Sequence, residues 1–204
     1  HFDYIRHADV ILPVGLWERY GLFQDREYPR FDFCYCEVCR ETFAHETGRD
    51  PMTLPDPPSH RAWREFRWRT VTELVRLLTA EVHAHGKTAT AAVFPTPQLA
   101  RMLVRQAWDR WPVDAVFPML YHRFYEQDVG WIGRSTREGV AALPRDRSLF
   151  SGLYLPDLSP DELERAVRNA LSAGAAGVSL FELGGLSDAH LATLGEARNL
   201  EVRT

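Results

Sequence analysis

The chain has 204 residues, 45% hydrophobic and 25% charged, with a net charge of −4. This is ordinary composition for a folded domain, and one domain spanning 1–204 is the expectation. There is no polycationic footprint for nucleic acid and no apolar run of the roughly 20 residues that crosses a bilayer.

The first residues, His1-Phe2-Asp3-Tyr4-Ile5-Arg6, read as the end of a buried strand that carries a carboxylate into a loop. Parallel α/β folds place their chemistry at the carboxyl ends of strands. Residues 7–58 follow as a long irregular stretch punctuated by Pro13, Gly15, Gly21, Pro29, Gly48, Pro51, Pro55, Pro57 and Pro58. Loops of that length carry function more often than not. Within it a short helix is expected over Glu37–Glu46. The three cysteines crowd into Cys34-Tyr35-Cys36-Glu37-Val38-Cys39. An odd number at this spacing suits metal ligation better than a disulfide framework, with a disulfide plus a free thiol as the rival.

From Ser59, apolar residues recur at helical spacing (Trp63, Phe66, Val71, Leu74, Val75, Leu78, Val82) and predict a helix that stops at Gly86. Thr88–Phe94 is a short strand. Thr96 then caps a helix with Pro97 at its first position and a buried face of Leu99, Leu103, Ala107 and Trp108. Asp114–Leu120 is the next strand, followed by the aromatic loop Tyr121–Tyr125 and a weaker helix over Val129–Ala142. Ser148–Tyr154 is a strand. Ser159-Pro160-Asp161-Glu162 is a capping-box start for a helix ending at Gly174. Ala176–Phe181 is the last strand, with Glu182 at its end, and Ser187 caps a final helix through about Ala197. Short strands that are apolar on both faces argue for a parallel sheet covered by helices. No Gly-rich phosphate fingerprint follows any strand. An open doubly wound sheet and part of a (β/α)8 barrel both fit this succession.

Three segments resemble the glycosyl-hydrolase-like (β/α)8 barrel families: His1–Arg6, the loop Cys34–Cys39 followed by Phe43, and Phe117–Tyr121. The resemblance implies a TIM-barrel fragment, strands four to eight with their helices, in which 7–58 is a loop insertion. It also implies a glycoside hydrolase cleaving O-glycosidic bonds in an oligo- or polysaccharide. The cysteine spacing is similar to that of a β-galactosidase family with the same barrel, whose cluster holds structural zinc. That implies Zn2+ on Cys34, Cys36 and Cys39, with a fourth ligand from outside the chain or from His45, His7 or Asp32.

Glycosidases need two carboxylates. Asp3 is the first, and the neighbouring Arg6 is expected to lower its pKa and suit it to a nucleophile's role. Glu182 and then Glu126 are the choices for the second, ahead of Asp128 and Asp157, because the strand at 148–154 ends without a carboxylate. Tyr4, Arg6, Tyr121, His122, Trp17 and Tyr125 are expected to bind substrate, the aromatics by stacking on sugar rings. Tyr20 and Trp131 lie in loops of the same kind. The missing carboxylate leaves two alternatives, a non-catalytic carbohydrate-binding barrel and a zinc-stabilised interaction module. A fragment of a barrel would expose two sheet edges and self-associate through them. A secreted or periplasmic setting stays open.

Overall fold

The structure is a computed structural model that describes residues 1–201, with side chains described to 195. A mostly irregular region comes first, holding helices α1 (Trp17–Tyr20) and α2 (Glu37–Thr47). Then comes a regular alternation: α3 (Arg61–Ala84), β1 (Thr90–Val93), α4 (Pro97–Val104), β2 (Ala115–Pro118), α5 (Gly130–Ala142), β3 (Ser148–Tyr154), α6 (Pro160–Ser172), β4 (Gly177–Phe181) and α7 (Asp188–Glu201).

The local signals explain most of these boundaries. Thr96 accepts from the Leu99 amide at 3.3 Å, with Pro97 at the first helical position. Ser159 and Glu162 form the reciprocal capping box. Two expectations are corrected. The opening strand shrinks to a single bridge, in which Phe2 pairs with Ala91: its amide donates to Thr90 O at 2.7 Å and its carbonyl accepts from Ala92 at 2.9 Å. The helix beginning at Pro97 ends at Val104 because Arg105 turns left-handed at φ +61°. Ala107 and Trp108 are therefore buried beyond the helix rather than on its face.

All strands are parallel, in the order β1-β2-β3-β4, with Phe2 extending the β1 edge. A doubly wound sheet reverses its strand order at a switch point, and none occurs here. Register shows what each face does. Ala91 pairs with Val116 and Val116 with Leu149, and all three enter one apolar core with Val75, Leu103 and Trp108. Farther along, Leu153 pairs with Leu180, and both pack with Leu163, Ala166 and Val167 of α6. On the other face lie Thr90, Ala92, Phe117, Phe150, Tyr154 and Phe181, half-buried or exposed, with Phe117 and Phe150 stacked at 5.0 Å. Among the described residues no helix covers that second face. An unreversed strand order with helices on one side alone is the arrangement of part of a barrel. Its two flanks carry exposed apolar side chains, Leu74, Leu77 and Leu78 on α3 and Phe181, Leu183 and Leu191 at the other end.

The region 7–58 has a small core of its own, where Phe43 and Leu54 meet Trp63 and Phe66 of α3. It crosses the carboxyl-end rim at Gly15. A Cβ there would meet the Arg123 carbonyl oxygen at 2.3 Å, so only glycine permits this approach.

Candidate active site

The carboxyl ends of the strands bring Asp3, Tyr121, Tyr154, Phe181 and Glu182 to one rim. Tyr121 organises it. Its ring lies parallel to Phe181 at 6.0 Å and against Tyr154 at 5.3 Å, with Phe124 edge-on at 5.6 Å. Burial pushes the Tyr121 phenol up to about 12, and the charges of Asp3 and Tyr154 push in the same direction. Its hydroxyl therefore stays protonated at neutral pH and is available as a donor or acceptor. Phe181 is 56% exposed, so the cluster presents an open aromatic surface toward solvent.

Asp3 is exposed, and its Oδ1 accepts the Tyr4 amide at 2.8 Å. Tyr4 sits at φ +53° and is 78% exposed. Arg6 does not pair with Asp3. It bonds Asp9 Oδ2 at 3.2 Å and the His7 carbonyl at 2.9 Å, with its guanidinium over the Tyr4 and Phe94 rings. The expected Arg6–Asp3 pair is thus replaced by Arg6–Asp9. Asp3, Tyr4, Arg6 and His7 share a cleft of about 500 Å³ with Thr70, Val71 and Leu74 of α3.

The second carboxylates are not joined to Asp3 by any hydrogen bond among the described residues. Glu182 is exposed beside Phe181, on the aromatic side of the rim. Glu126 closes the 122–125 turn at φ +53°, also exposed. His122 turns away from Tyr121. It is buried and lines a separate cavity of about 430 Å³ with Arg123, Asp128 and Glu162. Burial, reinforced by Arg123, holds its imidazole below the usual range. Tyr125 stacks on Trp131 at 5.1 Å and packs against the main core, which occupies its ring. Trp17 donates its indole N–H to the Leu12 carbonyl at 2.8 Å and meets Phe23 edge-on.

Phe181, Tyr154, Phe124 and Asp9 are further residues of the rim and its loop for which the sequence carries no functional expectation. Phe181 and Tyr154 end strands and pair across β3 and β4. The signal that finds them is an aromatic at the last position of a strand.

The three cysteines are free thiols whose sulfurs all lie within 4.8 Å of one another. Thiolates 2.3 Å from a common Zn2+ sit about 3.8 Å apart, so small rotations would bring this set to tetrahedral coordination. The crowding is visible in the thiols themselves. Hydrogen bonds from the Cys39 amide and from the Cys34 and Cys39 side chains lower Cys36, whereas burial and the neighbouring thiols push Cys39 up to about 12. A cation is what would let all three ionise together. His7, His45 and Asp32 are not part of that group. His7 and Asp32 already have partners: Arg67 bonds both, at 3.2 Å and 3.0 Å.

No family model matches the chain, and no curated protein matches its sequence. Among solved structures, bee venom hyaluronidase is similar at 14% identity and a TM-score of 0.46, over 80% of this chain and 61% of that one. Xylanase B from Clostridium stercorarium F9 is similar at 13% identity and a TM-score of 0.31, over 76% of this chain and 44% of that one. The chain thus spans less than two thirds of the length of either. Likeness at this level identifies no family and fixes no activity.

Proposed function

We propose that the chain is the part of a (β/α)8 barrel from strand four to strand eight, and that its rim binds a saccharide and cleaves its O-glycosidic bonds. The observation that carries this reading is that an exposed carboxylate, Asp3, and an open aromatic surface share the carboxyl-end rim of one parallel sheet. Sugar rings present flat C–H faces to aromatic rings and hydroxyls to carboxylates and phenols, and the rim supplies all three. Asp3 is one catalytic carboxylate. Glu182, on the aromatic side, is the leading choice for the other, and Glu126 ranks behind it. Tyr4 and Tyr121 bind substrate alongside Asp3. Arg6 acts through Asp9 and the Tyr4 ring, holding the loop after Asp3 in place. Phe181 is the exposed stacking face.

The cysteine cluster is read as structural. Cys34, Cys36 and Cys39 would hold Zn2+ with a fourth ligand from elsewhere, which ties down a loop that has no sheet to hold it. The uncovered sheet face and the apolar flanks support the barrel reading, and in the isolated chain they favour self-association.

Equilibrium binding to a panel of oligosaccharides tests the rim. We expect binding that Phe181→Ala weakens about tenfold and Phe181→Trp retains. Absence of binding to every saccharide would remove the reading. Binding without hydrolysis would leave the non-catalytic carbohydrate-binding alternative, which the lack of a carboxylate at the end of β3 favours.

A further inference from the structure

The segment Tyr121–Tyr125 faces two ways. Tyr121 and Phe124 build the aromatic surface, whereas His122 and Arg123 line the separate cavity of about 430 Å³. Asp128, just before α5, and Glu162 and Arg165, near the start of α6, supply further polar walls. That volume is in the range of small-molecule sites.

The polar groups of this cavity are held in place but not used up. His122 is 3% exposed, and its ring makes no hydrogen bond to a described residue, yet neither nitrogen is sealed from solvent. A side chain so buried meets solvent through the cavity that it lines. Burial keeps the imidazole neutral, so it offers one N–H and one lone pair. Each carboxylate is anchored through one oxygen and presents the other. Asp128 Oδ1 accepts from the Trp131 amide and from Arg134, both at 2.9 Å, while Oδ2 has no donor among the described residues. Glu162 Oε2 accepts from the Ser159 amide and hydroxyl, both at 3.0 Å, while Oε1 has only the Arg123 guanidinium, at 3.8 Å. Arg165 is exposed, with no ion partner among the described residues.

These groups define the chemistry of a ligand. A metal ion does not fit, because among the described residues only the cysteines bring three such ligand atoms within 4.8 Å of one another. An anionic group would meet Asp128 and Glu162, and a cationic one Arg123 and Arg165. Hydroxyls both donate and accept, and several on one ring reach groups spread around a cavity. We propose that this cavity is a second saccharide subsite, which takes one neutral sugar residue of the chain bound on the aromatic surface. His122 donates to one hydroxyl and accepts from another, Asp128 Oδ2 and Glu162 Oε1 accept, and Arg123 and Arg165 donate. Tyr121 and His122 are consecutive, about 3.8 Å apart at Cα, so the two sites adjoin. The inference rests on the saccharide reading and adds that the ligand is a neutral chain longer than one residue.

Isothermal titration of the full-length protein with xylo-, cello- and manno-oligosaccharides of one to six residues tests it, with tri-galacturonate as an acidic probe. We expect affinity to rise with length and then level off. His122→Phe, which keeps the bulk of the ring, and Arg165→Ala, at an exposed position, should each weaken the longest oligomers about tenfold and leave the shortest binding one unchanged. Phe181→Ala should weaken every length. A gain with length that survives in Arg165→Ala and in folded His122→Phe would overturn the subsite, while weakening by Phe181→Ala would still support the rim. Tighter binding of tri-galacturonate than of the neutral trimers would overturn the neutral assignment. Absence of binding by every oligomer would overturn the subsite and the rim together.

Discussion

The two regions of the chain are held together by different physics. From Arg61 onward, stability comes from apolar burial: Val75, Trp108, Leu153 and Leu163 are each completely buried between sheet and helices. Before it, residues 7–58 have little regular structure and a small aromatic core. They are anchored instead by Asp32 and Glu27 reaching arginines on the body. Apolar burial is non-directional and forgiving, whereas a buried ion pair fails when either partner is lost. The rim draws on both regions, since Asp3 and the aromatic surface belong to the sheet while Gly15 and the turn at 122–125 carry the loop across it. The loop should therefore open independently of the body, and the consequences should differ by site.

Asp32→Ala tests this difference with the largest expected effect. It leaves Arg67 and Arg105 buried without their shared carboxylate, at a cost of about 3–5 kcal/mol. Proteolysis should cut within 7–58 while far-UV circular dichroism of the body persists. Leu163→Ala, at a fully buried position of α6, should instead cost about 2–5 kcal/mol and lower the melting of the whole chain. If both variants lose all structure together, the two regions form one cooperative unit.

Acid is a gentler probe of the same boundary. Burial, then the charges of Arg67 and Arg105, hold His7 down to about 4, below the ordinary imidazole value of 6.5, although Asp32 opposes them. The unfolded chain thus takes up a proton as pH falls through 6.5 while the folded chain does not. Stability contributed by neutral His7 is complete above about 6.5. It declines as pH falls and is gone by about 4, a loss of about 3 kcal/mol. Denaturant melts of the chain and of His7→Gln between these limits should diverge, with the variant flatter. Parallel pH profiles would contradict this.

The smallest effect is expected at the crossing point. Gly15→Ala places a methyl against the Arg123 carbonyl and should cost about 1–3 kcal/mol, loosening the loop on the rim without altering the sheet. Hydrogen exchange confined to residues 10–24 and 121–126 would show it. An unchanged exchange pattern would mean that the loop does not depend on that contact.

These differences also explain what was legible in the sequence. The body was readable because its signals are local: the Ser159 capping box, the Thr96–Pro97 start and the strand over Ser148–Tyr154 each lie within a few residues. The singly wound order is implied by the family resemblance and not by periodicity, which describes elements and not their neighbours. In the loop, Asp32 was a reserve metal ligand in the sequence, yet its partner Arg105 lies 73 residues away. The site divides in the same way. Asp3 and Tyr121 were legible as strand-end residues. Phe181 and Tyr154 are not legible there, because an aromatic in an apolar strand looks like core until the sheet face beside it is known to be uncovered. Proximity in sequence pairs Arg6 with Asp3, whereas three-dimensional packing gives it Asp9.

In the proposed function, Asp3 performs chemistry on a glycosidic bond beside the aromatic surface. Hydrolysis of a panel of aryl glycosides by the full-length protein and by its Asp3→Asn variant tests this most directly. Asn preserves the side chain's size and its acceptor toward the Tyr4 amide while removing the charge. Turnover should fall by roughly 10²–10⁴-fold or more with saccharide binding retained. Equal turnover by the two proteins would contradict it.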